Sequence, residues 1–568
     1  MRASVRVSWR IAAWLAAAVL VPAAVARAAA CGDVSGNGAV TIADAVQLLQ
    51  TVAGAPVGTC GGAGVLACGD LNGDGVVGIA DVVILLNVLA GNPVLFPPCT
   101  VIDPVACTGP AGTGANGEHW NGQVTVHGLL TTSQAWPAGC RVNVDGPVFV
   151  ASGAVVKIEP GALVVGVDPP TPPTSFNFSA LVFLAGSKII ASGTPTQPIL
   201  MQSSDHVDHG VGHVADWGGL VVNGRAPVNC PGGQCLAEGL VGVPFGGTDP
   251  NDSSGVLRYL RVEFAGREVA PDDELPAITL NGVGRGTLYD HVQANVAFDS
   301  CQKFFGGTVN AKYLVSSGCG NDLFDVQLGT QSRVQHVLGV FYQPYMENAG
   351  NEAIDSQNNE NGFDLVPRTA PVFCNVTLVG TSLQPSAGLG ATEVGLSLRR
   401  GTAGTFANVL AEHFRITGLE LRDDATAAVA CDASAQLHTT APRLLVTHSL
   451  FFDNGFAGDG AQVAGTFTTP CTADDYWNLV AANESVVPSD PASPGPDPGV
   501  HVTYGRGVPG SQTDLAQFVP DGSEPLVTAL AADCKAIDPF FDTTSYVGAF
   551  APGGPSWLTS PWVSFELQ

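Results

Sequence analysis

The sequence predicts a mostly β chain: a right-handed parallel β-helix (solenoid) preceded by a small all-α module. Three observations carry that expectation. A loose tetrapeptide recurs through the middle of the chain, short apolar runs punctuated by Gly and Asn take the place of long amphipathic stretches, and one 24-residue segment near the start is duplicated. At 568 residues the chain is too long for one compact core. Only 13% of its residues are charged against 45% hydrophobic, so it must fold to cover apolar surface. Lys and Arg total 23 against 50 Asp and Glu, and the net charge of -27 argues against nucleic acid or an anionic membrane surface as partner.

Taken from the N-terminus, Arg2, Arg6 and Arg10 precede an apolar run from Ile11 to Ala26 and the small residues Ala28-Ala29-Ala30. This pattern predicts a signal peptide over residues 1–30 and a secreted, extracellular or cell-surface product. No later stretch is long and apolar enough to span a membrane. The 14 cysteines all follow the signal, an even number that favours disulfides in an oxidising compartment. Cys230/Cys235 and Cys301/Cys319 are close pairs suited to bonding, and the absence of CxxC spacing argues against zinc or thioredoxin-like chemistry.

Residues 31–54 return at 68–91 with 14 of 24 positions identical. In the first copy, oxygen-bearing side chains fall at Asp33, Ser35, Asn37, Thr41 and Asp44, loop positions 1, 3, 5, 9 and 12, with Gly38 at position 6. In the second, Asp70, Asn72, Asp74 and Asp81 stand at positions 1, 3, 5 and 12, with Gly75 at position 6. The carbonyls of Ala39 and Val76 supply position 7, and water completes the second site at Gly78. Alternation of this kind turns every second oxygen towards one point, which a hard cation requires. The expected cofactor is therefore Ca²⁺, two ions in all. Each loop leads into a helix whose apolar face carries Ile42, Val46, Leu49 and Ala53, or Ile79, Val83, Leu86 and Ala90.

Loop, helix and duplication together resemble a dockerin, over a module placed at residues 31–96. The resemblance implies a cohesin-like protein domain as partner. It also makes pairing of Cys31 and Cys68, with each other or with Cys60 and Cys99, an expectation. Positions 10 and 11 depart from the family: they are Ile42-Ala43 and Ile79-Ala80 rather than hydroxyl residues, and Leu49-Gln50 and Leu86-Asn87 replace the usual basic pair. Such a surface binds by apolar packing, which makes an intramolecular partner a competing expectation.

A linker is expected at 97–125, the β-helix at 126–460, and loops with a cap over the solenoid end at 461–568. The recurring tetrapeptides are Tyr259–Val262, Tyr289–Val292, Lys312–Val315, Val334–Val337, Phe373–Val376 and Phe406–Val409, their final valines 30, 23, 22, 39 and 33 residues apart. Offsets of 22 and 23 suit one solenoid coil, and the larger ones suit coils with inserted loops. The segments Trp217–Pro227, Gly255–Gly266, Phe304–Val315, Asn361–Pro371 and Tyr546–Phe550 resemble a family of secreted bacterial surface proteins. That resemblance implies a β-helix over 126–568 without an established activity.

An Asn- and acid-rich patch spans Glu347 to Asp364. Carboxylates gathered on a solenoid face serve as acid and base on a glycosidic bond, or hold the Ca²⁺ that acidifies a uronate C5 proton. The candidates are Asp322, Asp325, Asp355 and Asp364, with Asp299, Lys312, Arg333 and Arg368 completing a groove. Trp217, Tyr342 and Tyr345 are candidates for stacking on sugar rings, with Trp217 better suited to packing. His206, His209 and His213 fall in a Gly/Asp-rich stretch read as a loop, which argues against a metal site. Two functions remain open: a calcium-binding surface or matrix protein that recognises polysaccharide, or a polysaccharide lyase or glycoside hydrolase carrying a dockerin.

Overall fold

The computed structural model describes residues 32–35, 37, 39–55, 66–69, 71, 77–89, 102, 104–168, 178–271, 273–341, 350–381, 393–455, 462–480, 482–486, 515–521 and 525–565. The expected signal peptide, the ligands Asp70, Asn72, Asp74 and Val76, the cysteines Cys31, Cys60 and Cys99, and Tyr342 and Tyr345 lie outside the described residues. The chain divides into two units, Met1–Val101 and Ile102–Gln568.

The first unit contains helices α1 (Ile42–Val52), α2 (Leu66–Gly69) and α3 (Ile79–Leu89). Thr41 caps α1 in a capping box with Asp44, which satisfies donors the first turn leaves open. Its core joins Val34, Ala45, Leu48, Leu71, Val82 and Leu85. The face carrying Ile42, Val46 and Leu49 on α1 and Ile79, Val83 and Leu86 on α3 is exposed, Ile42 by 62% and Ile79 by 60%.

In the second unit an 11-stranded and a 16-stranded sheet pair their strands in parallel throughout the described residues. The 11-stranded sheet follows chain order from Leu129–Leu130 to Val463–Gly465. This is the stacking of a parallel β-helix: each coil lays one strand on the 11-stranded sheet and one or two on the 16-stranded sheet, and only the next coil covers its edge. Parallel pairing begins at Gly122–Val126 and ends at Glu484–Val486, beyond both expected limits. The stretch expected as a linker is also more ordered than that. Gly112–Thr113 pairs antiparallel with His119–Trp120, and a Cys107–Cys140 disulfide ties the stretch to the solenoid.

The recurring tetrapeptides do stack, though not in the register of their final valines. The observed row is Leu260, Val292, Leu314, Val337, Val376 and Val409. Val262 pairs with Ala294 instead, and Val315 with Leu338. Beside that row Tyr259, His291, Tyr313, His336, Asn375, Asn408 and His448 all have φ between 46° and 59°. Left-handed backbone is costly for most side chains and least so for Asn, Asp and His, so this row is a corner repeated in seven successive coils. It bends the strand Gly255–Ala265, whose first half pairs with Lys188–Ser192 and whose second half pairs with Ile199–Ser203. The corner rings stack, with centroids 4.4 Å apart for Tyr259–His291, 4.3 Å for His291–Tyr313 and 4.8 Å for Tyr313–His336.

Residues 515–565 do not close the solenoid end. They lie along its side, where Phe518, Val547, Phe550, Trp562 and Phe565 bury Val315, Leu338, Val379 and Leu410 of the 16-stranded sheet. Asn375 Nδ2 donates to the carbonyls of Tyr546 and Gly548 at 2.9 and 3.1 Å, Arg261 reaches Pro561 O, and a Cys374–Cys534 disulfide fastens the strap. The disulfides Cys230–Cys235 and Cys301–Cys319 form as expected, and Cys431–Cys471 is added. No helix among the described residues is long and apolar enough to cross a membrane.

Candidate functional site

On the 11-stranded sheet, residues alternate between core and outer face. Phe304, Phe324, Val326, Ile354, Leu396, Leu398, Leu419 and Leu421 point into the core. The residues between them form outer rows, one running Lys303, Asp325, Asp355, Ser397, Glu420. Two residues further along each strand the next row includes Phe305, Gln327, Gln357 and Arg399.

Parallel register therefore stacks carboxylates from successive coils. Asp322, Asp325 and Asp355 each offer an oxygen within 4.8 Å of the others, and all three are buried. Burial, with Glu352, Asp355 and Asp325 beside it, pushes the carboxyl of Asp322 well above the usual range. That of Asp325 is pushed up to about 8 by burial and by Asp355, Glu238 and Asp299, against the opposing pull of Lys303. Glu352 is raised by burial and by Asp355. Cations are interleaved. Arg399 holds Asp355 with two bonds, Lys303 Nζ sits 2.8 Å from Asp299 Oδ2 and 2.9 Å from Glu238 Oε2, and Arg422 joins Glu420 to Glu352. One oxygen of the triad, Asp325 Oδ1, is buried without a hydrogen-bond partner among the described residues. Three converging carboxylates with a spare buried oxygen are a donor set for a hard divalent cation.

Beside this cluster a cleft of about 500 Å³ opens on the same face. Its apolar surface comes from Phe305, Leu328, Leu236 and Leu365, and its polar lining includes Gln327, Gln357, Asn359, Asn361, Glu238 and Glu360. Gln327 donates to Asp325, and Gln357 to Asp355, both at 3.1 Å, so the lining and the carboxylates are one hydrogen-bonded structure. The wall bearing Glu238 is closed by Cys230–Cys235 and docked by amides: Asn229 Nδ2 donates to Asn358 Oδ1 at 2.9 Å, and Asn359 Nδ2 to Asn229 Oδ1 at 3.0 Å. The Asn-rich patch is thus partly a buried clamp, with Asn351, Asn358 and Asn359 all covered.

Of the expected catalytic residues, Asp322, Asp325 and Asp355 meet, whereas Asp364 is exposed on a turn and bonded to Arg368 at 2.7 Å. Asp299 joins the cluster through Lys303. Lys312 and Arg333 belong to the other sheet, where they pair with Asp542 and Asp538 of the strap. Sequence reasoning missed Lys303, Glu238, Gln327, Arg399 and Arg422. A signal was present in Phe324-Asp-Val-Gln327, Ile354-Asp-Ser-Gln357, Leu396-Ser-Leu-Arg399 and Leu419-Glu-Leu-Arg422, where two polar positions alternate with core positions. Trp217 is buried and donates from Nε1 to Glu263 O at 2.9 Å, which makes it core packing. The histidine stretch is corrected in part: Ser204–His209 is a helix, α4, and His206 stacks on Phe264. His213, beyond the helix, comes together with Asp205 and Asp216.

In the first of the two loops expected to hold calcium, Asp33 and Asp44 are both buried. Ser35 Oγ and Asn37 N donate to Asp33 Oδ1, and Ser35 N and Thr41 donate to the two oxygens of Asp44. Asp81 holds Leu71 N and Gly78 N in the same way. Carboxylate oxygens keep lone pairs beyond these bonds, so the loop's donor set fits a hard cation.

No curated protein matches the chain. Among solved structures it is similar to the Dettilon tailspike protein, at 11% identity and a TM-score of 0.19, covering 61% of this chain and 62% of that one. That degree of likeness carries no inference about fold or activity. The family described as a pectate-lyase like beta helix domain matches residues 128–454, more than half of the chain, and the chain belongs to that family.

Proposed function

We propose that this is an exported polysaccharide-binding protein whose β-helix presents a glycan cleft on the outer face of its 11-stranded sheet. The observation that carries this reading is the lining of the cleft beside the carboxylate cluster: apolar side chains around Phe305 with amides and carboxylates at hand. Sugar rings pair a C–H face with hydroxyl edges, and such mixed concave surfaces suit them. Affinity electrophoresis of the full chain through gels containing a panel of polysaccharides tests it. Retardation by at least one glycan is expected, and unchanged mobility in all of them would overturn the reading.

The small helical module is proposed to bind two Ca²⁺ and to attach the protein to a cohesin-like or other protein partner. Support comes from the buried Asp33, Asp44 and Asp81 and from the exposed apolar face of α1 and α3.

Polysaccharide cleavage is the second reading, favoured by Glu238 and Glu360 on one cleft. Burial raises Glu238, as a general acid requires, and an exposed Glu360 supplies a second carboxylate. Release of reducing ends or unsaturated uronates, lost in Glu238→Gln, is the expected signature.

A further inference from the structure

We propose that the cleft around Phe305 takes an uncharged polysaccharide and discriminates against polyuronates and polyamines. This rests on the polysaccharide reading above and adds the class of glycan. The charge balance of the cleft carries it.

Among the described residues two carboxylates face the cleft, Glu238 and Glu360, and no Lys, Arg or His lines it. Each carboxylate has its own cation just outside. Lys303 Nζ lies 2.9 Å from Glu238, and Arg400 Nη1 lies 3.8 Å from Glu360. Lys303 is closed to an incoming anion, and Arg400 lies outside the lining, turned to Glu360 and Gln357. Lys303 is buried and also bound to Asp299, and Arg400 is also bound to Gln357 Oε1. A uronate chain would bring one carboxylate per sugar against Glu238 and Glu360 with no cation in the lining to neutralise it, which costs affinity by like-charge repulsion. A polyamine finds Glu238 already held by the buried Lys303 and can pair only with Glu360, whose side chain is 63% exposed, where an ion pair is worth little against the desolvation of the ammonium.

An uncharged sugar meets neither penalty. Its hydroxyls donate to Glu238 and Glu360 without disturbing the two ion pairs, and its C–H face lies on the apolar surface of Phe305, Leu328, Leu236 and Leu365. The amide groups of Gln327 and Gln357 each give one N–H to an Asp beneath, and each carries a second N–H for a ligand oxygen. The buried Asp322, Asp325 and Asp355 leave one route by which uronates could still be captured, a bridging Ca²⁺, and the test must include it.

The experiment measures affinity of the full chain for soluble uncharged polysaccharides such as mixed-linkage glucan and glucomannan, for polygalacturonate and alginate, and for chitosan, each with Ca²⁺ and with EDTA. The expected result is binding of at least one uncharged polymer about tenfold or more tighter than any charged one, with or without Ca²⁺. Leu236→Ser, at a side chain 68% exposed, should weaken that binding about fivefold or more without touching the fold. Glu360→Lys, on an exposed turn, should raise polygalacturonate affinity about tenfold by supplying the missing cation. Preference for polyuronate or chitosan in the unaltered protein, with or without Ca²⁺, would overturn this inference while leaving polysaccharide binding intact. So would binding insensitive to both substitutions. Failure to bind every polymer would overturn the polysaccharide reading itself.

Discussion

Arg399 grips Asp355 through two near-parallel bonds, Nε to Oδ1 at 2.9 Å and Nη2 to Oδ2 at 2.6 Å, and in doing so fixes the centre of the carboxylate row. Asp355 is buried, so its charge has little access to water. Removing the cation alone would strand that charge. Arg399→Ala is expected to cost about 3 kcal/mol, and Asp355→Asn in the same background to recover much of it. A double-mutant cycle from urea unfolding measures this, and additive single effects would show that the two bonds contribute little.

The pH dependence follows from Asp325. Its folded carboxyl is pushed up to about 8, whereas an unfolded Asp titrates near about 3.9. Between those values the folded state binds the extra proton, so the contribution of Asp325 is full below the lower value and is lost as pH rises through the upper one. Asp325→Asn, which needs no proton, should therefore gain thermal stability over the parent as pH rises from about 4 to about 8. The difference in melting temperature across that range is the readout, and a constant difference would contradict the assignment.

Calcium should bind the helical module at two sites. Calorimetry of the full chain is expected to lose one site in Asp33→Ala and the other in Asp81→Ala, since these side chains organise separate loops. Identical heats in all three proteins would remove the calcium proposal and leave the polysaccharide reading untouched.

The side strap should be stable only while fastened. Its own Trp562 is buried against the solenoid and meets Tyr259 and His291 edge-on at 6.0 and 5.4 Å. Trp562→Ala is expected to cost about 3–5 kcal/mol. Replacing Cys374 and Cys534 by Ser should cost about 2–5 kcal/mol, and limited proteolysis should then cut first within residues 515–565.

Several features were legible because they are local. The tetrapeptide row at Val292, Val337, Val376 and Val409 lies in one register, as its spacing implied. The slip at Val262 came from aligning Tyr259 with Tyr289, whereas Tyr259 lies level with His291, and that at Val315 came from aligning Lys312 with Tyr289, which pairs with Ala311. A one- or two-residue choice of that kind is fixed by the left-handed corner, which spacing does not reveal. Cys230–Cys235 and Cys301–Cys319 were legible because little chain separates them. Cys374–Cys534, 160 residues apart, depends on where the strap lies.

By itself, the sequence determined that the chain builds coils, because apolar alternation and coil-length offsets leave few other ways to bury so much Val, Leu and Ile. It also placed Asp33, Ser35, Asn37, Thr41 and Asp44, the oxygen-bearing side chains of the first repeated loop, within 12 consecutive residues. Tertiary structure alone decided which carboxylates meet. Asp325 and Asp355, 30 residues apart, become neighbours through the pairing of successive strands, while Asp364, only nine residues beyond Asp355, turns away to Arg368. In a solenoid, proximity is set by register between coils and not by distance along the chain, and inserted loops of unequal length hide that register from the sequence.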